Sequence, residues 1–293
     1  MTSVLVLLAG GAAAGVFGSL LGLGGGILIV PLLALALGLP LREAVAISLV
    51  AVIVTSSASA AVYLQRHVAN LRLGMTLELF SATGALVGGL VAFLIDERVL
   101  AGLFAALLIW VAVSMARRKD PPQAASAASA TAGIPAPVEA PDPVDLDPEA
   151  EPVAAVAAPT FAAELSGPGY LVRRIPAGTA GSVFAGLNSA LLGVGGGLVK
   201  VPVMHLVMGV PLRVSTATSN LMMGITATAS AVIYLVRDEI DPYIAGPIAL
   251  GVFAGASIGS RLAHRIDLRV LRWLFVIVLL YTAFQMAMRA LGL

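Results

Sequence analysis

Two glycine-rich loops carry the residue pattern best suited to binding chemistry. Gly22-x-Gly24-Gly25-Gly26 and Gly193-x-Gly195-Gly196-Gly197 each stand between two apolar segments. A glycine loop that begins a helix exposes backbone N–H groups without intrahelical partners at the positive end of the helix dipole, and such groups bind anions. Neither loop has the Lys-Ser/Thr pair or the spacing of the nucleotide-binding glycine motifs. The loops predict either an anion site or close helix packing, which glycine also permits in membranes.

A few polar side chains are placed to contribute to the same site. Lys200 follows the second loop, and it either supplies a counter-charge for an anion or extends to the lipid headgroups. Ser219 and Asn220 end a polar run within an apolar segment, so they must face protein or a water-filled cavity. Glu78, a carboxylate inside a predicted span, either lies near the headgroups or takes part in proton coupling. The predicted binding residues are Gly24, Gly25, Gly26, Gly195, Gly196, Gly197, Lys200, Ser219, Asn220 and Ser48.

The composition places these residues in a membrane protein. Only 11% of the 293 residues are charged and 59% are hydrophobic, whereas a soluble domain carries about 25% charged residues. There is no cysteine and there are three histidines, so we expect no disulfide, no metal site and no cofactor. No Asp, Glu or His pair at helical spacing occurs in a predicted span, so we also expect no enzymatic activity.

An Ala/Pro/acidic stretch divides the chain into two apolar blocks. Residues 120–169 contain eight of the 16 acidic residues, ten of the 17 prolines and no Lys or Arg. Such a composition cannot bury enough apolar area to offset the entropy lost on ordering. We therefore predict a first membrane repeat at 1–118, a disordered linker at 119–170 and a second membrane repeat at 171–293. The linker alternatively serves as an acidic tether for a partner.

The two blocks are copies of one unit. When residue n is placed beside residue n+171, 23 of the 52 positions from Gly15 to Arg66 are identical without a gap. The matches include both glycine loops, Pro31 with Pro202, and Ser48 with Ser219. Apolar composition alone would match scattered Leu, Val and Ala residues, but not this register of Gly, Pro, Ser and Arg. An internal duplication therefore organises the fold.

Gly, Pro and charged residues punctuate the apolar segments and predict ten helices. The third to fifth segments of each copy are long enough to span a membrane. The first two form either a re-entrant hairpin broken at the glycine loop or a conventional pair of kinked spans. The predicted helices are 3–21, 24–38, 41–65, 73–95 and 98–116 in the first copy, and 176–192, 195–209, 212–236, 243–264 and 268–290 in the second.

Basic residues in the short loops predict the orientation. Arg117, Arg118 and Lys119 flank the linker on one side and Arg173 and Arg174 on the other, so the linker is expected in the cytoplasm and both termini outside. Each copy then makes an odd number of net crossings, and the second enters the membrane upside down. We predict an all-α polytopic protein of two inverted repeats, each a glycine-broken hairpin plus three transmembrane helices. Such repeats are typical of secondary transporters.

The doubled Gly-x-Gly-Gly-Gly-x-x-x-Val-Pro motif, followed by Gly-x-Pro and a Ser/Thr-rich helix, resembles the sulfite exporter TauE/SafE family. The resemblance covers 3–116 and 176–290. It implies transport of sulfite, sulfonates such as sulfoacetate, or other sulfur-containing anions across the bacterial inner membrane, mostly outward. The long acidic insert departs from the compact family pattern. The family's glycine and proline positions correspond to Gly22, Gly24, Gly25, Gly26, Pro31, Gly193, Gly195, Gly196, Gly197 and Pro202.

The sequence therefore favours a secondary transporter that exports a small sulfur-containing oxyanion by alternating access. The expected partners are a small anionic substrate and the lipid bilayer, with no nucleic acid, and a homo-oligomer is left open. Two alternatives differ in class. One is a cation carrier, which would need carboxylate or histidine clusters in the spans. The other is a non-transporting membrane scaffold that binds a partner through its acidic linker.

Overall fold

The computed structural model is built from helices. It describes residues 2–21, 26–65, 69–117, 160–167, 170–262 and 268–291. Within these ranges every regular element is helical, apart from an isolated bridge between Gly167 and Tyr170. The fold is all-α, as the sequence predicts.

Five helices form the first half of the described chain. Each begins and ends within two residues of its predicted bounds, because Gly, Pro and charged residues interrupt the apolar segments there. The helices are α1 (Thr2–Leu21), α2 (Gly26–Pro31, continued by a π-helical turn at Leu32–Ala36), α3 (Leu41–Gln65), α4 (Leu71–Leu94) and α5 (Glu97–Arg117).

The second half repeats this order after an additional short helix. Residues 119–159 of the predicted linker lie outside the described residues, and Thr160–Leu165 near its end form a helix. The five longer segments again agree with their predicted bounds to within two residues. The helices are α6 (Thr160–Leu165), α7 (Ile175–Leu192), α8 (Gly197–Pro202, continued by a π-helical turn at Val203–Val207), α9 (Leu212–Val236), α10 (Pro242–Leu262) and α11 (Leu268–Leu291).

The short helix α6 is attached to the beginning of α4. Leu165 is buried, and its carbonyl accepts a hydrogen bond of 2.9 Å from Asn70 Nδ2. The same amide donates to the Tyr170 hydroxyl at 2.7 Å. The Asn70 side-chain oxygen caps α4 by accepting from the Leu73 N–H at 3.0 Å. Asn70 therefore ties the end of the acidic stretch to the helical body.

Proline ends the regular part of each short helix. Pro31 and Pro202 are the last residues of α2 and α8, and a five-residue π-helical turn follows each of them. Proline lacks the N–H that would continue the α-helical hydrogen-bond ladder, and π-helical turns of this kind occur at interruptions of α-helices. The repeated proline thus produces the same irregular geometry twice.

The first helix of the second half packs on the first half. A Cβ atom at Gly186 of α7 would clash with the carbonyl oxygen of Ser81 in α4, and one at Gly84 would clash with that of Val183. Glycine is therefore required for the two backbones to approach so closely, as in helix pairs that associate within membranes.

The first helix of the first half packs on the second half in the same way. A Cβ atom at Gly15 of α1 would clash with the carbonyl oxygen of Val252 in α10, and one at Gly255 would clash with that of Ala12. These contacts are the α4–α7 contacts displaced by 171 residues. Each half therefore covers its fourth helix with the opening helix of the other half.

The central helices α3 and α9 cross in the middle of the molecule. The Ser56 hydroxyl donates to the carbonyl oxygen of Asn220, and a Cβ atom at Gly224 would lie 2.9 Å from Ser56 Oγ. The Tyr234 hydroxyl, which is fully buried, donates to the Ala190 carbonyl at 2.9 Å. These bonds join α3, α7 and α9, and Gly26 and Gly193 lie beside Ser48 of α3.

The beginning of α3 and the ends of α4 and α9 meet at one end of the molecule. The Arg42 guanidinium donates to the carbonyl oxygens of Ala92 at 3.2 Å and Ile95 at 2.7 Å. It also stacks over Phe93, with 5.6 Å from Cζ to the ring centroid. Partial burial raises the pKa of Glu239, in the loop that follows α9, and the nearby positive charge of Arg42 opposes that increase.

Three described helices are long and apolar enough to cross a membrane. They are Leu71–Leu94, Glu97–Ser114 and Leu212–Val236. Five other apolar stretches of the described helices are shorter. They lie in α1, in the α2 and α8 segments, in α10 and at Val276–Leu291 of α11. Large apolar side chains on the outer surface, among them Leu94 and Leu206, are exposed. This surface suits a lipid environment, since a soluble protein rarely exposes apolar area so widely.

Candidate functional site

Gly26, which ends the first glycine motif and begins α2, lies beside Gly193 of the second loop, and Ser48 bonds to both. The fully buried Ser48 hydroxyl lies 2.8 Å from the carbonyl oxygen of Gly193 and 3.3 Å from that of Gly26. A Cβ atom at Gly26 would lie 2.7 Å from the Gly193 carbonyl oxygen. The beginning of α2 is therefore in direct contact with the second loop, and a side chain on Gly26 would push the two segments apart.

The second loop has a backbone that favours glycine. Gly193, Gly195 and Gly196 have φ values of 67°, 79° and 74°, a conformation that L-residues with a Cβ rarely adopt. Helix α8 begins at Gly197, and the N–H groups of Val199 and Lys200 donate to the Gly196 carbonyl at 3.2 and 3.1 Å. The N–H groups that precede these donors have no acceptor within the helix.

Two buried hydroxyl groups beside this loop have no hydrogen-bond partner among the residues that the structure describes. Ser189 and Ser219 are 0% and 1% exposed, and neither Oγ atom is bonded to another group. A Cβ atom at Gly196 would lie 3.4 Å from the Ser189 Cβ, and one at Gly197 would lie 3.5 Å from Ser219 Oγ. An unpaired buried hydroxyl costs free energy, so native structures rarely leave one without a ligand or water.

A buried ion pair lies one helical turn further along α8. Lys200 Nζ is 3.0 Å from Glu78 Oε2 in α4, and the two side chains are 1% and 5% exposed. Lys200 also donates to the Thr226 hydroxyl in α9. The predicted counter-charge is therefore neutralised within the protein, by the carboxylate that the sequence placed inside a span.

Two hydroxyl groups complete the environment of the pair. Thr226 Oγ1 lies 2.6 Å from Glu78 Oε1 and 3.1 Å from the Met222 carbonyl, and it shares its proton with these acceptors. Ser81 Oγ is 3.1 Å from the same threonine oxygen. Among the described residues, the cluster joins α4 of the first half to α8 and α9 of the second.

Comparison with known proteins identifies the family. The family model described as sulfite exporter TauE/SafE matches residues 7–286, which is almost the entire chain. The chain belongs to the TauE/SafE family. It is 24% identical over 291 residues to a protein of Bacillus subtilis (strain 168) described as probable membrane transporter protein YunE, with 97% of each chain covered. No solved structure matches the chain.

Membership of the TauE/SafE family makes this protein an integral membrane transporter, in agreement with its apolar helices. A transporter of this family acts on a small substrate in a lipid environment. The resemblance predicted from the doubled glycine and proline motif is confirmed, since the matched region contains both copies.

The structure brings most of the predicted binding residues of this TauE/SafE protein to one place. Gly26, Ser48 and Ser219 lie beside the second glycine loop, which contains Gly195, Gly196 and Gly197. The backbone of Lys200 lies one helical turn after Gly196, but its ammonium group contacts Glu78. The backbone carbonyl of Asn220 binds Ser56. Gly24 and Gly25 lie outside the described residues.

Sequence reasoning missed Ser189 and the partners of Lys200. Ser189 had no signal, because a single serine in an apolar helix resembles the many that bind their own backbone. The ion pair had one, since a lone carboxylate and a lone ammonium inside apolar segments are expected to pair. Glu78 and Lys200 could therefore have been predicted to form an ion pair, although they lie far apart in the sequence.

A groove of about 260 Å³ lies between α3 and α9. The hydroxyl groups on its wall have backbone partners: Ser57 donates to Ile53 O at 2.7 Å and Thr228 to Gly224 O at 2.8 Å within their own helices, and Ser56 donates across the groove to Asn220 O. The groove lining includes neither the glycine loops nor the ion pair. Its lining residues are Ile53, Ser56, Ser57, Leu221, Gly224, Ile225 and Thr228.

Proposed function

We propose that this TauE/SafE protein is a secondary transporter that exports a small sulfur-containing oxyanion, sulfite or an organosulfonate such as sulfoacetate, across the bacterial inner membrane. The family's description supports the class of substrate. The relative in Bacillus subtilis is described only as a probable membrane transporter. The substrate proposal therefore depends on the chemistry of the site.

The observation that carries the proposal is the contact of Gly26, at the beginning of α2, with the second glycine loop, beside donors that have no partner among the described residues. Ser189 and Ser219 offer hydroxyl protons, and the first N–H groups of α8 offer the positive end of a short helix. An oxyanion would accept hydrogen bonds from both kinds of donor. The site is therefore rich in donors and has the polarity that an anion requires.

Neutral donors suit a substrate that must also be released. A hydrogen bond to a charged group contributes about 1.5–3 kcal/mol, and a helix terminus about 0.3–1 kcal/mol. Several such contacts hold an anion with moderate affinity, whereas an unpaired buried lysine would hold it more tightly. The pairing of Lys200 with Glu78 keeps the resting site neutral.

Alternating access in this proposal comes from two inverted repeats, 1–118 and 171–293, that rock against one another. The recurrence of the α4–α7 contacts as α1–α10 contacts supports the repeat. The meeting of the beginning of α3 with the ends of α4 and α9 supports a position for all three on the same side of the membrane, which the proposal takes as external. The linker at 119–170 is then cytoplasmic and both chain termini are external.

Flux measurements in proteoliposomes test the proposal. We expect the purified full chain to move labelled sulfite, with sulfoacetate, thiosulfate, sulfate and taurine compared as competitors. Competition by the anions but not by taurine, which has no net charge, would support an oxyanion site. Proteoliposomes that move none of the anions faster than protein-free liposomes would overturn the proposed function.

A further inference from the structure

The Glu78–Lys200 pair connects the two halves of the protein at a place where charge is costly. Glu78 belongs to α4 of the first half, and Lys200 to α8, which begins at the second glycine loop. The repeat counterparts of these residues are Ala249 and Ile29. The charged cluster therefore occurs once in a duplicated architecture, which argues against a purely structural requirement of the fold.

The other titratable side chains on the elements that surround the pair bind other groups or are exposed. On the packed elements Tyr234 is buried, but its hydroxyl donates to Ala190 O. At the beginning of α3, Arg42 binds the Ala92 and Ile95 carbonyls, with Glu43 beside it. Within the described residues, Glu78 is thus the carboxylate that can balance Lys200. The exposed titratable side chains on or directly beside the surrounding helices are Arg72, Glu164, Arg174, His205, Arg213 and Arg237.

Lys200 lies between the proposed anion site and the Glu78 carboxylate. Its backbone N–H donates to Gly196 of the glycine loop, so its side chain starts one turn from the proposed anion site. Its ammonium group now lies at Glu78 and Thr226. Ser219 and Thr226 are on the same helix, about 10 Å apart at 1.5 Å per residue. Rotation of the flexible lysine side chain would move the ammonium toward the loop.

That movement would leave Glu78 as an unpaired buried carboxylate, which is strongly unfavourable. Protonation of Glu78 removes the cost. The contact between Lys200 Nζ and Glu78 Oε2 breaks, an O–H bond forms on the carboxyl group, and the lysine keeps its proton. Thr226 can serve both states, because a hydroxyl donates to a carboxylate and accepts from a carboxylic acid.

We propose that Glu78 binds the proton that is transported with the anion, and that Lys200 links the two binding events. This inference rests on the proposed function. Anion binding and proton binding then strengthen one another by the same factor, because coupling between two sites is reciprocal. Transport is a symport of one proton with each anion, so net export requires an outward anion gradient that exceeds the inward proton gradient.

Proton uptake by the full-length wild-type protein is the first test. Sulfoacetate is added to the detergent-purified chain in weakly buffered solution with a pH indicator, because its charge is constant near neutral pH. We expect one proton to be taken up for each anion bound. Binding without proton uptake would overturn the inference and leave the proposed function intact, whereas no binding or flux of any oxyanion would count against the function itself.

Glu78→Gln and Glu164→Gln form the second test. In the wild type and in Glu164→Gln, which changes an exposed carboxylate of α6, affinity for sulfoacetate should rise about tenfold for each unit that the pH falls. In Glu78→Gln the affinity should be independent of pH. Exchange of internal for external sulfoacetate should persist, but a pH gradient should no longer drive accumulation. A wild-type pH dependence in Glu78→Gln would refute the role of Glu78.

Discussion

Ser48 and Ser219 occupy the same position in the two repeats but make different contacts. Ser48 bonds to the carbonyl oxygens of Gly26 and Gly193, whereas Ser219 is buried without a partner among the described residues. The difference separates a structural serine from one that is available to a ligand. Substitution of each by alanine should therefore have opposite consequences.

Ser219→Ala and Ser189→Ala should each weaken anion binding about 10-fold or more, since one hydrogen bond to a charged group contributes about 1.5–3 kcal/mol. Thermal stability should be unchanged or slightly higher, because an unsatisfied hydroxyl is removed. Ser48→Ala is the matched control and should lower stability by about 1 kcal/mol. Thermal unfolding in detergent and sulfite flux measure the two effects. Loss of stability in Ser219→Ala without loss of affinity would show that its hydroxyl is structural.

Lys200→Ala should lower both stability and transport. Removal of one partner from a buried ion pair costs about 3–5 kcal/mol, whereas replacement of both by apolar residues is often neutral. The double variant Lys200→Met/Glu78→Leu should therefore regain most of the lost stability and remain inactive. Unfolding temperature and flux are measured on the same preparations. A double variant that transports normally would exclude any role of the pair in the transport cycle.

At the scale of helices, glycine sets the distance between α4 and α7. Gly186→Ala would bring a methyl group into the backbone of Ser81, and overpacking of this kind costs about 1–3 kcal/mol or more. Gly246→Ala in α10 is the control, since nothing lies within 4 Å of the added atom. It should leave stability unchanged or raise it by up to about 1 kcal/mol. Yields of monodisperse protein and unfolding temperatures test the contrast. Equal stability of the two variants would show that the interface tolerates separation.

The bounds of the helices were more predictable from the sequence than the contacts between helices. The bounds of α1 to α5 and of α7 to α11 follow from local punctuation, and the two loops from a spacing that occurs twice. The pairing of α1 with α10, the docking of α6 and the contact between Glu78 and Lys200 depend on residues far apart in sequence. A single sequence contains no signal for such contacts beyond composition. Ser189 likewise became a candidate only when its neighbours were known.

The orientation of the whole molecule can be tested with single cysteines, because the native chain has none. Cysteine at Asp96 or Tyr243 should react with an impermeant maleimide added to intact cells. Cysteine at Arg72 or Arg213 should react only after permeabilisation. All four native side chains are exposed, so accessibility reports the side of the membrane. Labelling of Asp96 and Tyr243 variants from opposite sides would contradict the proposed inverted arrangement.

The exchange of opening helices between the halves also constrains biosynthesis. Helix α1 is the first to leave the ribosome, but its partner α10 begins only at Pro242. At about 5–20 residues per second, roughly ten to forty seconds separate the two events. During that interval the glycine face of α1 must be shielded by lipid, an insertase or a temporary contact. The amino-terminal half released alone would lack the surface on which its own first helix rests.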